Sequence, residues 1–264
     1  MKKAKSYIRK TRKEFYMRIS SLSDRNGRRT NQDSSLIKSK VRGKDKLLLC
    51  MVADGMGGTD DGTAASLLTQ KLMERWFDKN ADELLQSRDF ENKVKESITE
   101  VLQDANEKAT LYSREKGFTT GSTAMVVLFF GNKYIAANIG DSRLYKFSRG
   151  ESRQITRDQT LAQLEVERGN LTPEEAKTDK RSHTLLQCIG MDEDLEPEFF
   201  QGTIRKGEYY LICSDGMYNR VDISELEQIV MQKKKDTKKK LMELIIRSKQ
   251  KGEKDNITGI LVEI

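Results

Sequence analysis

Two stretches, LLLCMVADGMGG at residues 47–58 and YYLICSDGMYN at 209–219, decide how this chain reads. Each is a short, continuous apolar run closed by an Asp-Gly step, the pattern of a buried strand that ends in a turn. Asp54 and Asp215 are therefore expected at the mouths of two strands, on rigid supports, while Gly55 and Gly216 let backbone approach a ligand closely. One such step alone is an ordinary turn. Two near-copies far apart in the chain, joined by Gly140-Asp141 and Asp255-Asn256 at further strand edges, indicate acids converging on one hard-cation site.

Working outward, strands and helices come in blocks rather than in strict alternation. Strands are predicted at Glu14–Ser20, Ser34–Val41, Lys46–Ala53, Ser122–Phe130, Lys133–Ile139, Leu144–Phe147, Glu198–Ile204, Tyr209–Cys213 and Ile257–Val262. Gly131-Asn132 reads as a hairpin turn. Helices are predicted at Gly62–Phe77, Phe90–Arg114, Ile223–Gln232 and Thr237–Ser248; in the second, Val94, Ile98, Val101, Leu102, Ala105 and Ala109 form one apolar stripe. Blocks of this kind favour an α+β layered fold over a doubly wound parallel sheet. With only Pro173 and Pro197 and no low-complexity linker, one domain over residues 1–264 is expected. Residues 157–189 read as an inserted flap, in which Thr172-Pro173-Glu174-Glu175 starts a short helix with an N-cap threonine and a glutamate three residues on.

Several chemistries are disfavoured. His183 is the only histidine, so neither a zinc hydrolase nor a Ser-His-Asp triad is supported, and His183 is assigned no catalytic role. Cys50, Cys188 and Cys213 suit reduced packing residues, and after Cys213 the first arginine, Arg220, falls one position late for a cysteine phosphatase loop. GMGGTDDGT lacks the ending of a phosphate-binding P-loop, and Pro197 breaks any calcium-loop reading of DEDLEP. Apolar runs such as Ala124–Phe130 are too short to span a bilayer, and the basic N-terminus lacks an apolar signal core, so a cytoplasmic address is expected. The net charge of +7 raises the question of nucleic acid, but the lysines gather at the N-terminus and at 233–240 and read as a solvated surface.

The words GRRTNQDS (27–34), VADGMGG (52–58), GSTA (121–124), NIGDSRLY (138–145), TRDQT (156–160), LLQCIG (185–190), LICSDGM (211–217) and DNIT (255–258) occur in an order that resembles the metal-dependent serine/threonine protein phosphatases of type 2C, in their bacterial form. The resemblance runs from about Ser23 to the C-terminus and implies two packed, mainly antiparallel β-sheets flanked by helices, with the metal centre at one end. It implies Mn2+ or Mg2+ as cofactor: Asp54 bridging two ions, the Gly55 carbonyl on one, Asp215 and Asp255 on the other, Asp141 on a weaker third ion, and Asp33 acting through water. Arg28, selected over Arg29 by the register RxxNQD, would bind the substrate phosphate. Where animal-type members read DGHGG this chain reads DGMGG, and Met56 cannot donate a proton to the leaving group. The implied activity is hydrolysis of phosphoserine and phosphothreonine in proteins through a metal-activated water. The implied partners are phosphorylated substrates of a bacterial Ser/Thr kinase and the kinase itself, with the phosphatase a monomer. A two-metal nuclease and a non-catalytic pseudophosphatase module are the alternatives.

Overall fold

A computed structural model describes residues 17–57, 62–191 and 194–264. In chain order the strands are β1 (Arg18–Asp24), β2 (Ser34–Arg42), β3 (Asp45–Ala53), β4 (Gly55–Gly57), β5 (Thr120–Ser122), β6 (Ala124–Phe130), β7 (Lys133–Ile139), β8 (Arg143–Ser148), β9 (Glu151–Gln154), β10 (Glu198–Thr203), β11 (Tyr209–Cys213) and β12 (Ile257–Glu263). The helices are α1 (Thr63–Gln86), α2 (Phe90–Lys116), α3 (Leu161–Glu167), α4 (Pro173–Ala176), α5 (Ile223–Val230) and α6 (Thr237–Gln250). One five-stranded sheet has the order β1-β12-β11-β8-β9, the other β10-β7-β6-β3-β2, and every pairing is antiparallel.

The continuous apolar character of β3 follows from burial on both faces. Leu47, Leu49, Met51 and Ala53 pack with Met73, Phe77, Ile98 and Leu102 of α1 and α2. The alternate residues Leu48, Cys50 and Val52 meet Tyr210, Ile212, Ile260 and Val262 of the opposite sheet. The outer face of that sheet, through Phe147, Leu211 and Leu261, packs on Leu226, Ile229, Leu241 and Leu244 of α5 and α6. Period-two alternation thus feeds two apolar layers from one strand, each large side chain contributing about 1.5–3 kcal/mol by leaving water. The result is the expected order of helices, sheet, sheet and helices.

Several boundaries differ from the predicted ones. α1 runs on to Gln86 because Ala81, Leu84 and Leu85 continue its buried stripe. The first strand is Arg18–Asp24; residues 14–16 of the expected strand lie outside the described residues. The expected Ser122–Phe130 strand breaks at Thr123, so that β5 pairs with β4 while β6 joins the large sheet. β9 has no apolar residue to announce it, and α3 spans only seven residues, too short for a helical period to show. In the flap, Thr172 and Glu175 form the predicted capping box at α4.

Register places the site. β2 pairs β3 with Ser34 opposite Ala53, β8 pairs β11 with Arg143 opposite Cys213, and β11 pairs β12 with Cys213 opposite Gly259. The segments holding Asp33, Asp54, Asp141, Asp215 and Asp255 consequently emerge at one end of the sandwich.

At the opposite end, Lys146 Nζ lies 2.8 Å from Glu208 Oε1, both side chains largely buried, and Tyr210 donates to the other oxygen at 2.8 Å. Burial pushes the Glu208 carboxyl up, but the hydrogen bonds from Lys146, Tyr210 and the Arg205 amide outweigh it and hold the group below its ordinary range. A depressed carboxylate stabilises the fold at pH values above about 4.3 and loses that contribution as pH falls through its lower folded value. Glu208→Ala, which leaves Lys146 buried without its partner, is expected to lower unfolding free energy by about 3 kcal/mol at neutral pH. Urea denaturation at pH 7 and below about pH 4 checks this, with the difference from wild type shrinking only in the more acid series.

Candidate metal centre

Each acid at the sandwich end is fixed through its backbone. The Asp54 amide donates to Thr123 Oγ1 and the Thr123 amide to the Asp54 carbonyl, both at 2.9 Å. A Cβ at Gly55 would meet the carbonyls of Gln32 and Gly62 at 2.5 Å, so the close approach here requires glycine. The same holds at Gly216, where a Cβ would collide with the Asn256 carbonyl. Asn256 ties the loops together, accepting from the Gln32 amide at 2.8 Å and donating to the carbonyls of Arg25 and Thr30 at 2.9 and 3.1 Å. Ser214 donates to Asp33 Oδ2 at 2.8 Å, and Asn219 donates to Asp215 Oδ2 at 2.9 Å.

Asp141 follows Gly140, which stands at a φ of 91°. Its carbonyl accepts from the Tyr218 hydroxyl at 2.8 Å. Tyr218 in turn lies under the Arg143 guanidinium, 3.5 Å from its ring centroid, and Arg143 is held by Asp158 through contacts of 2.6 to 3.2 Å. On the other side, Gln159 Oε1 accepts from the Gly140 amide at 2.8 Å.

The electrostatics are those of crowded like charges in a recess. Burial raises Asp54 well above its ordinary range, and Asp33, Asp215, Asp141 and Asp255 push the same way. Asp33 is raised to about 6, chiefly by burial and despite hydrogen bonds from Thr258 and Ser214. Asp141 rises to about 8 through burial and then through Asp215 and Asp158, with Arg143 opposing. Burial also raises Asp215, helped by Asp255 and Glu253 and eased by Asn219 and His183. At the mouth, Arg28 has Nη2 2.6 Å from Asp255 Oδ2 and its side chain is more than half exposed. Arg29 is exposed and its carbonyl accepts from Arg25.

This donor set fits divalent cations. Asp33 Oδ1 and Asp215 Oδ1 are buried without a hydrogen-bond partner among the described residues, a state that costs free energy unless a cation or ordered water meets them. Carboxylate oxygens supplemented by a carbonyl suit Mg2+ or Mn2+ better than zinc or copper. Every residue that the sequence assigned to the site is therefore brought to one recess: Arg28, Asp33, Asp54, Gly55, Asp141, Asp215 and Asp255. His183, read from the sequence as incidental, is carried by the flap to 3.9 Å from Asp215. A sole histidine has no spacing partner that could have marked it. Cys50 and Cys213 are buried and unpaired, as expected of packing residues.

Fold and donor set define a layered β-sandwich with a carboxylate centre for divalent ions. The family description Protein phosphatase 2C matches residues 18–169. Protein phosphatase PhpP of Streptococcus pneumoniae is 31% identical over 251 residues, covering 94% of this chain and 98% of its own. Serine/threonine phosphatase stp of Listeria innocua is 31% identical over 223 residues, covering 83% and 86%. Among solved structures, the S. agalactiae serine/threonine phosphatase superposes with a TM-score of 0.82 at 29% identity, over 94% of this chain and all of its own. The catalytic domain of PstP in complex with two manganese ions gives 0.75 at 28% identity, over 94% and 97%. The chain belongs to the protein phosphatase 2C family of metal-dependent serine/threonine phosphatases. That membership favours the phosphatase over the nuclease and the inert module.

Because ionised carboxylates repel across the recess, worth about 4 kcal/mol for unit charges 4 Å apart at an intermediate dielectric, their neutralisation should stabilise the metal-free protein. Asp54→Asn is expected to raise the melting temperature in chelator by about 3 °C or more. Added Mn2+ is expected to raise that of wild type and to move the variant far less. Equal Mn2+ shifts in both proteins would remove Asp54 from the metal centre.

Proposed function

We propose that this chain removes phosphate from phosphoserine and phosphothreonine of cytoplasmic proteins, acting as a monomer on substrates of a bacterial Ser/Thr kinase and on the kinase itself. The convergence of Asp33, Asp54, Asp141, Asp215 and Asp255 on a recess edged by Arg28 carries the reading. In it, Asp54, the Gly55 carbonyl, Asp215 and Asp255 hold a pair of Mn2+ or Mg2+ ions, and Asp141 holds a weaker third. Bound there, paired divalent ions lower the pKa of water and neutralise phosphoryl charge.

The chain's own groups supply the rest. Arg28 is aimed at the recess by Asp255 and keeps N–H groups free for two phosphoryl oxygens, a grip that a lysine cannot reproduce. Asp33, one oxygen fixed by Ser214, presents Oδ1 as the acceptor that orients the attacking water and takes its proton. Met56 carries no transferable proton, so the leaving serine or threonine oxygen takes its proton from solvent. Unpaired cysteines support the cytoplasmic setting, and no described helix is long and apolar enough to cross a membrane.

The test is hydrolysis of a phosphothreonine peptide beside DNA, each with Mn2+ and with chelator. Peptide hydrolysis that needs the metal, with DNA left intact, is expected; activity surviving thorough chelation overturns the reading. Arg28→Ala is expected to reduce kcat/KM for the peptide by about ten- to a hundredfold, mainly through KM, corresponding to roughly 1.5–3 kcal/mol for a charged hydrogen bond. Arg29→Ala is expected to be mild, and the reverse order would relocate the phosphate site.

A further inference from the structure

Asp141, Asp215 and His183 each offer one donor atom, and these atoms all lie within 4.8 Å of one another. Ligand bonds of about 2.1 Å put two donors on one six-coordinate ion roughly 3 Å apart when adjacent and roughly 4.2 Å apart when opposite. The observed spacing is thus close to what a single ion spans. His183 Nδ1 stands 3.9 Å from Asp215 Oδ2, too far for a hydrogen bond.

The surroundings are built rather than accidental. Asp141 is only 8% exposed, and Asp215 keeps a buried oxygen without a partner. The segment bearing His183 is fixed to residues 159–161 by Leu161 N–H to the Thr184 carbonyl at 2.9 Å and Leu186 N–H to the Gln159 carbonyl at 2.8 Å, and Gln159 N–H in turn donates to the Gly140 carbonyl at 3.1 Å. Gln159 itself receives the Gly140 amide at 2.8 Å and donates to the Asn138 carbonyl at 3.3 Å. Tyr218 braces Asp141 from the other side. The imidazole and the buried carboxylates therefore belong to one connected frame.

We propose that His183 is a nitrogen ligand of a divalent cation shared with Asp141 and Asp215, so that the ion ties the flap to the metal centre. The inference rests on the paired-metal reading above and adds a donor of a different kind. Two carboxylates and a neutral imidazole match the charge of one divalent ion. Carboxylate and water suit Mg2+, whereas imidazole favours transition ions. This position consequently prefers Mn2+ to Mg2+, while the all-oxygen pair accepts either.

Because His183 is the only histidine of this 264-residue chain, its ring gives a single set of NMR signals. The experiment titrates protein labelled with 15N in the imidazole with 113Cd2+, a diamagnetic probe, and follows Mn2+ and Mg2+ binding to wild type and His183→Ala by calorimetry. A one-bond 113Cd–15N splitting on the weakest-bound ion is expected. The weakest Mn2+ phase is expected to loosen at least about tenfold in the variant, with the tighter phases and the Mg2+ isotherm unchanged. A ring signal that keeps its metal-free position while calorimetry registers the tighter ions overturns the His183 ligand and leaves the paired-metal centre standing. Absence of any ion binding overturns both.

Discussion

Mutual repulsion among buried carboxylates is the constraint around which the rest of this molecule is arranged. Asp33, Asp54, Asp141 and Asp215 all sit above their ordinary ionisation range, each chiefly through burial. Left to itself, a recess of this kind would relax by opening or by protonation. Two apolar layers prevent the first, since β3 is buried on both faces and cannot shift without disturbing α1 on one side and β12 on the other. The sandwich thus holds charge in a geometry that divalent cations satisfy, and part of its cohesion is held in readiness for them.

The supports of the acids differ in kind. Asp54 and Asp215 are set by strand ends and by glycines that admit neighbouring carbonyls. Asp141 depends instead on a chain of side chains, in which Asp158 holds Arg143, Arg143 covers Tyr218, and Tyr218 holds the Asp141 carbonyl. Gln159 links the backbone that carries His183 to the turn that carries Asp141, accepting from the Gly140 amide with its side chain and from the Leu186 amide with its carbonyl.

Much of this was legible in the chain. Apolar runs closed by Asp-Gly state where buried strands end, because a strand covered on both faces must be continuously apolar and glycine alone tolerates the crowding after it. The capping box of α4 was legible for a similar reason, as Thr172 and Glu175 satisfy the helix start locally. Less visible were α3, only seven residues long, β9, which has no apolar residue, and the last turns of α1 beyond Phe77. Their ends are fixed by the neighbours they cover rather than by any local punctuation.

The sequence by itself determined the layered α+β architecture, since its strands and helices are written in short apolar patterns whose chemistry is local, and through its resemblance it named the acids and Arg28 as candidates. Only the tertiary structure decided what stands beside those residues. Cross-strand register brings Asp33 and Asp141 to the same end as Asp54 and Asp215, and the return of the flap brings His183 to Asp215. Proximity between residues distant in the chain depends on how strands pair and loops return, and no spacing within one segment encodes it.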